Sequence, residues 1–247
     1  MRRSTDRSPA LVVGGSRGIG YAVAEELASA GVALGVISYA REGNERAVAS
    51  LAGFGPPVFG RSADVRHPVE FKNAVDELAN ELGGLRALVY SAGVHDRMED
   101  LDDYDDALWE RIVAVNLTGA FYAVRHAMPY LRRGAGSIVI IGSVASRRGF
   151  ARAHGYVAAK HGLVGLTRSL AQELGPDEIN VNLVCPGFVE TDMTRDKAAL
   201  RRWHEQNSPL GRGVEAAEVA KTVAFLLKDD VSAVTGQVIG VCGGTSW

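Results

Sequence analysis

Tyr156 and Lys160 stand four residues apart in a stretch, 155–174, whose pattern predicts a helix. That spacing puts both side chains on one helical face. An ammonium beside a phenol stabilises the phenolate and lowers a pKa normally near ~10. The result is a proton donor usable near neutral pH. Ser143 lies just past Ser137–Ile141, an apolar run that predicts a buried strand. A hydroxyl at the carboxyl end of such a strand faces the ligand crevice of a parallel sheet. Ser146 is a weaker candidate for the same place. Asn116 falls inside a long helical stretch, 104–131. Asparagine is a poor helix-interior residue unless its side chain has a specific partner. Alone, the Tyr–Lys pair also fits a helix with a solvated lysine and a half-buried tyrosine.

A second kind of chemistry sits near the start. Residues 12–20 spell VVGGSRGIG, with Gly14, Gly18 and Gly20 in the spacing G-x-x-x-G-x-G. Glycines let a backbone turn tightly and approach a pyrophosphate closely. The helix that follows offers free N–H groups and the positive end of its dipole. Ser16 and Arg17 add a hydroxyl and a cation. The plainer alternative is a tight strand-to-helix turn with no ligand.

The elements that must position these residues follow from patterning. Short apolar runs alternate with helical stretches along the chain. Strands are predicted at Ala10–Val13, 32–38, 58–60, Ala87–Tyr90, Ser137–Ile141, 179–184 and 237–241. Helices are predicted near 18–30, 44–51, 69–82, 104–131, 155–174, 197–206 and 216–227. Continuous apolar runs mark strands buried on both faces. Their alternation with helices gives an α/β, Rossmann-type doubly wound parallel sheet of about seven strands with helices on both faces. No linker-like stretch divides residues 9–247, so one domain is expected after a flexible tail, 1–8. The long charged connection 186–212 suits a lid over a substrate site.

Bulk properties bound the partners. The 247 residues are 47% hydrophobic with a net charge of -2, so no strong pull toward nucleic acid or an anionic membrane is expected. No apolar run is long enough to span a bilayer. Cys185 and Cys242 sit in apolar contexts, which fits buried thiols and a cytoplasmic protein. No metal site is predicted.

The glycine turn, Asn116, Ser143 and the Y-x-x-x-K pair, in this order, resemble the short-chain dehydrogenase/reductase family, in its 3-oxoacyl-carrier-protein reductase-like branch. The stretches SADV at 62–65, VCPGFVETDM at 184–193 and VTGQVIGVCGG at 234–244 match the same pattern. The resemblance spans roughly residues 9–247. It implies a nicotinamide cofactor that delivers hydride to a ketone, with the reverse alcohol oxidation as the alternative. In that scheme Tyr156 gives the proton and Ser143 polarises the carbonyl. Lys160 lowers the Tyr156 pKa and holds the ribose, and Asn116 binds a water that links Lys160 to solvent. Asp64 contacts adenine with Val65 near it. Gly14, Ser16, Gly18, Ile19, Gly20, Ser91, Ala92 and Gly93 line the cofactor, and Pro186, Gly187, Val189 and Thr191 lie along the nicotinamide. Two departures stand out. Val13 replaces a usual threonine, and Tyr90 and Ser91 replace two asparagines that brace the sheet.

In NAD-preferring members strand two ends in an acid; here Ser38 stands there, followed by Tyr39. With Arg17 and Arg41 nearby as phosphate partners, NADPH is the expected cofactor and NADH the alternative. By family position His95, Phe150, His154, Phe188, Met193 and Trp203 line the substrate pocket. Arg132, Arg133, Arg147, Arg148, Arg152, Arg201 and Arg202 either form a basic rim or are simply solvated. Asp177 and Glu178 stand where carrier-protein-reading relatives often have a base, which favours a free small carbonyl compound. The resemblance also implies a homotetramer, with the helices near 104–131 and 155–174 at one interface. A nucleotide-sensing regulator on the same fold would not need Tyr156 and Lys160.

Overall fold

The computed structural model describes residues 9–245 apart from Asp96, residues 133–135, Met193, Asp196 and Lys197. The predicted tail, 1–8, lies outside the described residues. One parallel sheet holds β1 (Ala10–Val13), β2 (Leu34–Ser38), β3 (Val58–Ser62), β4 (Ala87–Tyr90), β5 (Ser137–Ile141), β6 (Asn180–Pro186) and β7 (Val238–Val241). Their order is β3-β2-β1-β4-β5-β6-β7. The order reverses between β1 and β4, and a crevice opens at the carboxyl ends of the strands there.

Eight helices among the described residues cover the sheet. They are α1 (Gly18–Ser29), α2 (Arg41–Ala52), α3 (Pro68–Glu81), α4 (Asp106–Val113), α5 (Gly119–Leu131), α6 (His154–Leu174), α7 (Ala198–Asn207) and α8 (Ala216–Leu226). Successive strand residues feed opposite faces. Leu11 and Val13 of β1 enter one core with α3, α5 and α6; Ala10 and Val12 enter the other with α1 and α8. Each fully buried Leu, Ile or Val in these layers stabilises the fold by about 1.5–3 kcal/mol. Val13 packs there with Tyr90, Ile37 and Val65. Its backbone carbonyl accepts from Ser91 N at 2.8 Å, so apolar packing and a main-chain bond hold the junction that a hydroxyl was expected to hold.

The stretch 104–131 is not one helix. α4 and α5 are separated by a π-helical turn, Ala114–Thr118, in which Gly119 N–H reaches back to Ala114 O. Tertiary bonds impose it. The Tyr90 hydroxyl, at the end of β4, donates to Val115 O at 2.5 Å. The Asn116 amide donates to Val94 O at 2.9 Å and to Ile112 O at 3.0 Å. Tyr90 therefore braces the sheet against the turn that carries Asn116, a job given at sequence level to the missing asparagines.

Candidate active site

The crevice is built from backbone first. Gly14 has φ +83°, and a Cβ there would lie 2.5 Å from Ala92 N. A Cβ on Gly20 would lie 2.1 Å from Gly14 O. Only glycines allow the β1 turn to close on the end of β4 and on its own helix. α1 begins after Arg17 with no side-chain cap and no acidic residue in its first turn. Its free N–H groups and positive dipole end therefore suit an anion. These features fit the diphosphate of a dinucleotide held by Gly14, Ser16, Gly18 and Gly20. Thr191 meets Gly18, where a Cβ would lie 3.3 Å from its methyl, so the segment after β6 folds over the turn.

At the end of β2, Ser38 is buried and its Oγ has no hydrogen-bond partner. Tyr39 beside it is 75% exposed. Arg41 opens α2 with its guanidinium 2.9 Å from Glu45. Arg17 points elsewhere. It lines a polar cleft with Gly93, Arg97, Arg111 and Asp192, a lining that does not include Arg41. The Asp64 carboxylate accepts from the backbone N–H and guanidinium of Arg66. Those hydrogen bonds hold its pKa below the usual carboxylate range. Val65 is buried against Gly119.

A cavity of about 460 Å³ lies between these residues and α7. Ile19 of α1 and Pro186, Gly187, Val189 and Thr191, at the end of β6 and after it, line it. Ser143 and Tyr156 line it too, with His95, Phe150 and Phe188. Ser143 caps the short turn Val144–Ser146: its Oγ accepts from Ala145 N at 3.1 Å, and its N–H donates to Ser146 Oγ at 3.2 Å. Ser146 is thus a brace for Ser143 and does not border the cavity. His95 stacks on the Tyr156 ring at 4.6 Å.

Lys160 is 5% exposed, which rules out a solvated lysine. Its ammonium donates to Ile141 O at 2.8 Å and lies 5.6 Å from the centre of the Tyr156 ring. Burial lowers its pKa from 10.5 to about 8. The expected order of effects on Tyr156 changes accordingly. Burial pushes the phenol up, and the opposing pull comes from the Ser143 hydroxyl, not from Lys160. The lysine is turned to a carbonyl, and its own burial loosens its hold on the proton. Asn116 is fully buried, and its Oδ1 faces Gly93 without a partner.

Two substrate-side expectations change. His154 does not border the cavity; at the start of α6 its ring packs edge-on against Tyr104 at 5.1 Å. Trp203 stands one layer back, behind Phe150 at 5.5 Å and under the Arg148 guanidinium. Met193 lies outside the described residues. His204, unanticipated, does line the wall. The signal was helical phase: Leu200 and His204, four apart on α7, both face the cavity. Of the rim arginines, Arg132 pairs with Asp177, Arg152 with Asp100 and Arg201 with Glu190.

The family model described as enoyl-(acyl carrier protein) reductase matches residues 13–246. The 3-oxoacyl-(acyl-carrier-protein) reductase of Aquifex aeolicus is 36% identical over 242 residues, 95% of each chain. A solved structure of a variant actinorhodin polyketide ketoreductase with NADPH superposes with a TM-score of 0.91 at 34% identity, covering 100% of this chain and 99% of that one. Carveol dehydrogenase from Mycobacterium avium in complex with NAD gives 0.90 at 29% identity, covering 96% and 97%. The chain belongs to the short-chain dehydrogenase/reductase family and is an oxidoreductase of its ketoreductase-like branch. No helix among the described residues is long and apolar enough to cross a membrane.

Proposed function

We propose that this protein reduces a free, largely apolar ketone to a secondary alcohol with NADPH. The observation that carries the reading is the pairing of Ser143 with Tyr156 in the wall of a largely apolar cavity. A bound reduced nicotinamide supplies hydride. The chain's own residues do the rest. The Ser143 hydroxyl donates to the substrate oxygen, and the Tyr156 phenol gives that oxygen its proton as negative charge develops there. A phenol held high by burial is protonated at neutral pH. It is an acid ready for reduction and a poor base for oxidation, so reduction is the favoured direction. Lys160 hydrogen-bonds the nicotinamide ribose and Asn116, through its unpaired Oδ1, holds a water on the proton-supply path. The segment 186–212 acts as the lid.

The absence of an acid at Ser38 and the cation at Arg41 favour NADPH over NADH, because a carboxylate there would repel the extra phosphate. The ion-paired rim arginines favour a free ketone over a carrier-bound one. A homotetramer through α4, α5 and α6 is in keeping with Trp109 and Phe121, both 41% exposed. Sedimentation velocity would test that assembly. The reaction is tested by incubating a panel of aliphatic, cyclic and aromatic ketones with NADPH or NADH and following loss of reduced nicotinamide absorbance. Turnover with NADPH preferred is expected; no turnover of any ketone, or a preference for NADH, would overturn the corresponding half of the proposal.

A further inference from the structure

His204 is hard to explain as packing. It is 3% exposed on α7, between Phe188 at 5.9 Å and Trp203 at 4.9 Å. A leucine or phenylalanine would fill that place without burying polar atoms. Instead Nδ1 is sealed from solvent with no hydrogen-bond partner. An unpaired buried nitrogen is costly. Among the described residues no protein group bonds either ring nitrogen, while the ring lines the 460 Å³ cavity. Burial, with Arg148 nearby, lowers its pKa to about 4, so the ring is neutral at pH 7. A neutral imidazole has one donor and one acceptor. With Nδ1 sealed, the Nε2 edge is the one left for a partner.

Most of the wall is apolar, with Val144, Ala145, Phe150, Ala153, Phe188 and Leu200 in the lining. Beyond the Ser143–Tyr156 pair and His204, its polar side chains are His95 and Arg97 after β4 and Thr191 and Thr194 after β6, so His204 is the polar one that α7 supplies. A substrate that places its reacting carbonyl on that pair meets one further polar side chain at the α7 wall. We propose that His204 binds a second oxygen of the substrate, a hydroxyl or carbonyl remote from the reacting ketone, and so selects oxygenated ketones over their deoxygenated counterparts. This rests on the ketone-reducing reading above, and the experiment separates the two.

Matched substrates serve as probes: cyclohexanone against the 1,2-, 1,3- and 1,4-cyclohexanediones, and 4-phenyl-2-butanone against its 4-hydroxyphenyl analogue. For at least one pair the oxygenated member should be preferred in kcat/KM by about tenfold, the worth of one well-made hydrogen bond. In His204→Phe that ratio should fall to near one. No preference in any pair, or a preference that survives in His204→Phe, would overturn the proposal; equal loss for both members leaves the ratio intact and counts against it. A second readout needs no variant and no turnover. In the ¹⁵N-histidine spectrum of wild-type protein saturated with NADP⁺, oxygenated probes should move the His204 ring resonances and deoxygenated ones should not. Movement without turnover of any ketone would sink ketone reduction and keep the binding role. No movement with any oxygenated probe would sink the binding role.

Discussion

Lys160 is expected to destabilise the fold it serves. Its ammonium is buried, and burial takes its pKa from 10.5 to about 8. At about 1.4 kcal/mol for each tenfold change in proton affinity, that costs about 3 kcal/mol. The sign follows from linkage. Below about pH 8 the lysine is charged in both folded and unfolded chains, and the whole penalty applies. Between about 8 and 10.5 the unfolded chain keeps a proton that the folded chain has released, so stability rises with pH. Above that window the penalty is gone. Lys160→Met removes the charge and keeps most of the volume. It also removes the charge-assisted bond to Ile141 O, a loss of about 2 kcal/mol. The net gain at pH 7 is about 1 kcal/mol, or a rise in Tm of roughly 2–4 °C for a chain of this size. At about pH 11 only the lost bond remains, and the variant should melt below the wild type. Cofactor-free protein at fixed concentration is the sample, because a bound ligand or assembly adds its own stabilisation. A variant that melts at or below wild type at pH 7, or a difference that does not change with pH, would refute the reasoning. Activity should be lost throughout, which would make Lys160 a residue that trades stability for function.

Other outcomes follow from the same geometry. Tyr156→Phe should lose nearly all turnover while binding NADPH as wild type does, measured by fluorescence of the bound nicotinamide; retained turnover would remove the proton-donor role. Because burial raises the Tyr156 phenol, reductive kcat should stay flat through neutral pH and fall only on the alkaline side, while alcohol oxidation rises with pH. Ser143 is the group that pulls the phenol down, so a slow Ser143→Ala enzyme should show its alkaline limb at higher pH. Arg41→Ala should raise KM for NADPH by about tenfold with little change for NADH, whereas Arg17→Ala, on the cleft side, should affect both alike; equal effects of Arg41→Ala would end its role as selector. Tyr90→Phe should cost about 1 kcal/mol in urea unfolding and lower kcat by loosening the turn that holds Asn116. Unchanged stability and kcat would show that the bond to Val115 braces nothing.

Much of the site was legible because its chemistry depends on residue type at fixed spacing. Tyr156 and Lys160 share a helical face whatever packs around them, and Ser143 follows from the end of a buried strand. Residues 104–131 misled because local pattern carries no trace of the bonds that break the helix. The bonds from the Tyr90 hydroxyl to Val115 O and from the Asn116 amide to Val94 O exist only once the end of β4 lies against the turn. Trp203 and His204 show a similar limit. A family position names the neighbourhood, but a helix turns by about 100° per residue, so a one-residue error exchanges the wall for the layer behind it.

The buried polar atoms without partners sharpen the point. Ser38 Oγ, Asn116 Oδ1 and His204 Nδ1 are all sealed and unpaired; Ser38 ends β2, Asn116 Oδ1 faces Gly93 just past β4, and His204 lines the cavity. Thr167 Oγ1 and His126 Nε2 are equally unpaired but lie on α6 and α5, away from it. An orphaned atom therefore marks a ligand edge only where open space adjoins its residue. Inside the packed layers it is a local cost with nothing to complete it. At Ser38 and Asn116 the missing partner can arrive with cofactor and water; at His204 the substrate meets the Nε2 edge instead, and Nδ1 stays sealed. The exchange of the buried hydrogen-bonding group for an apolar one at Ser38 or His204 should thus leave the empty protein as stable or more so, and weaken only the ligand it faces, whereas at Asn116 it also removes the amide bonds to Val94 O and Ile112 O and should cost stability.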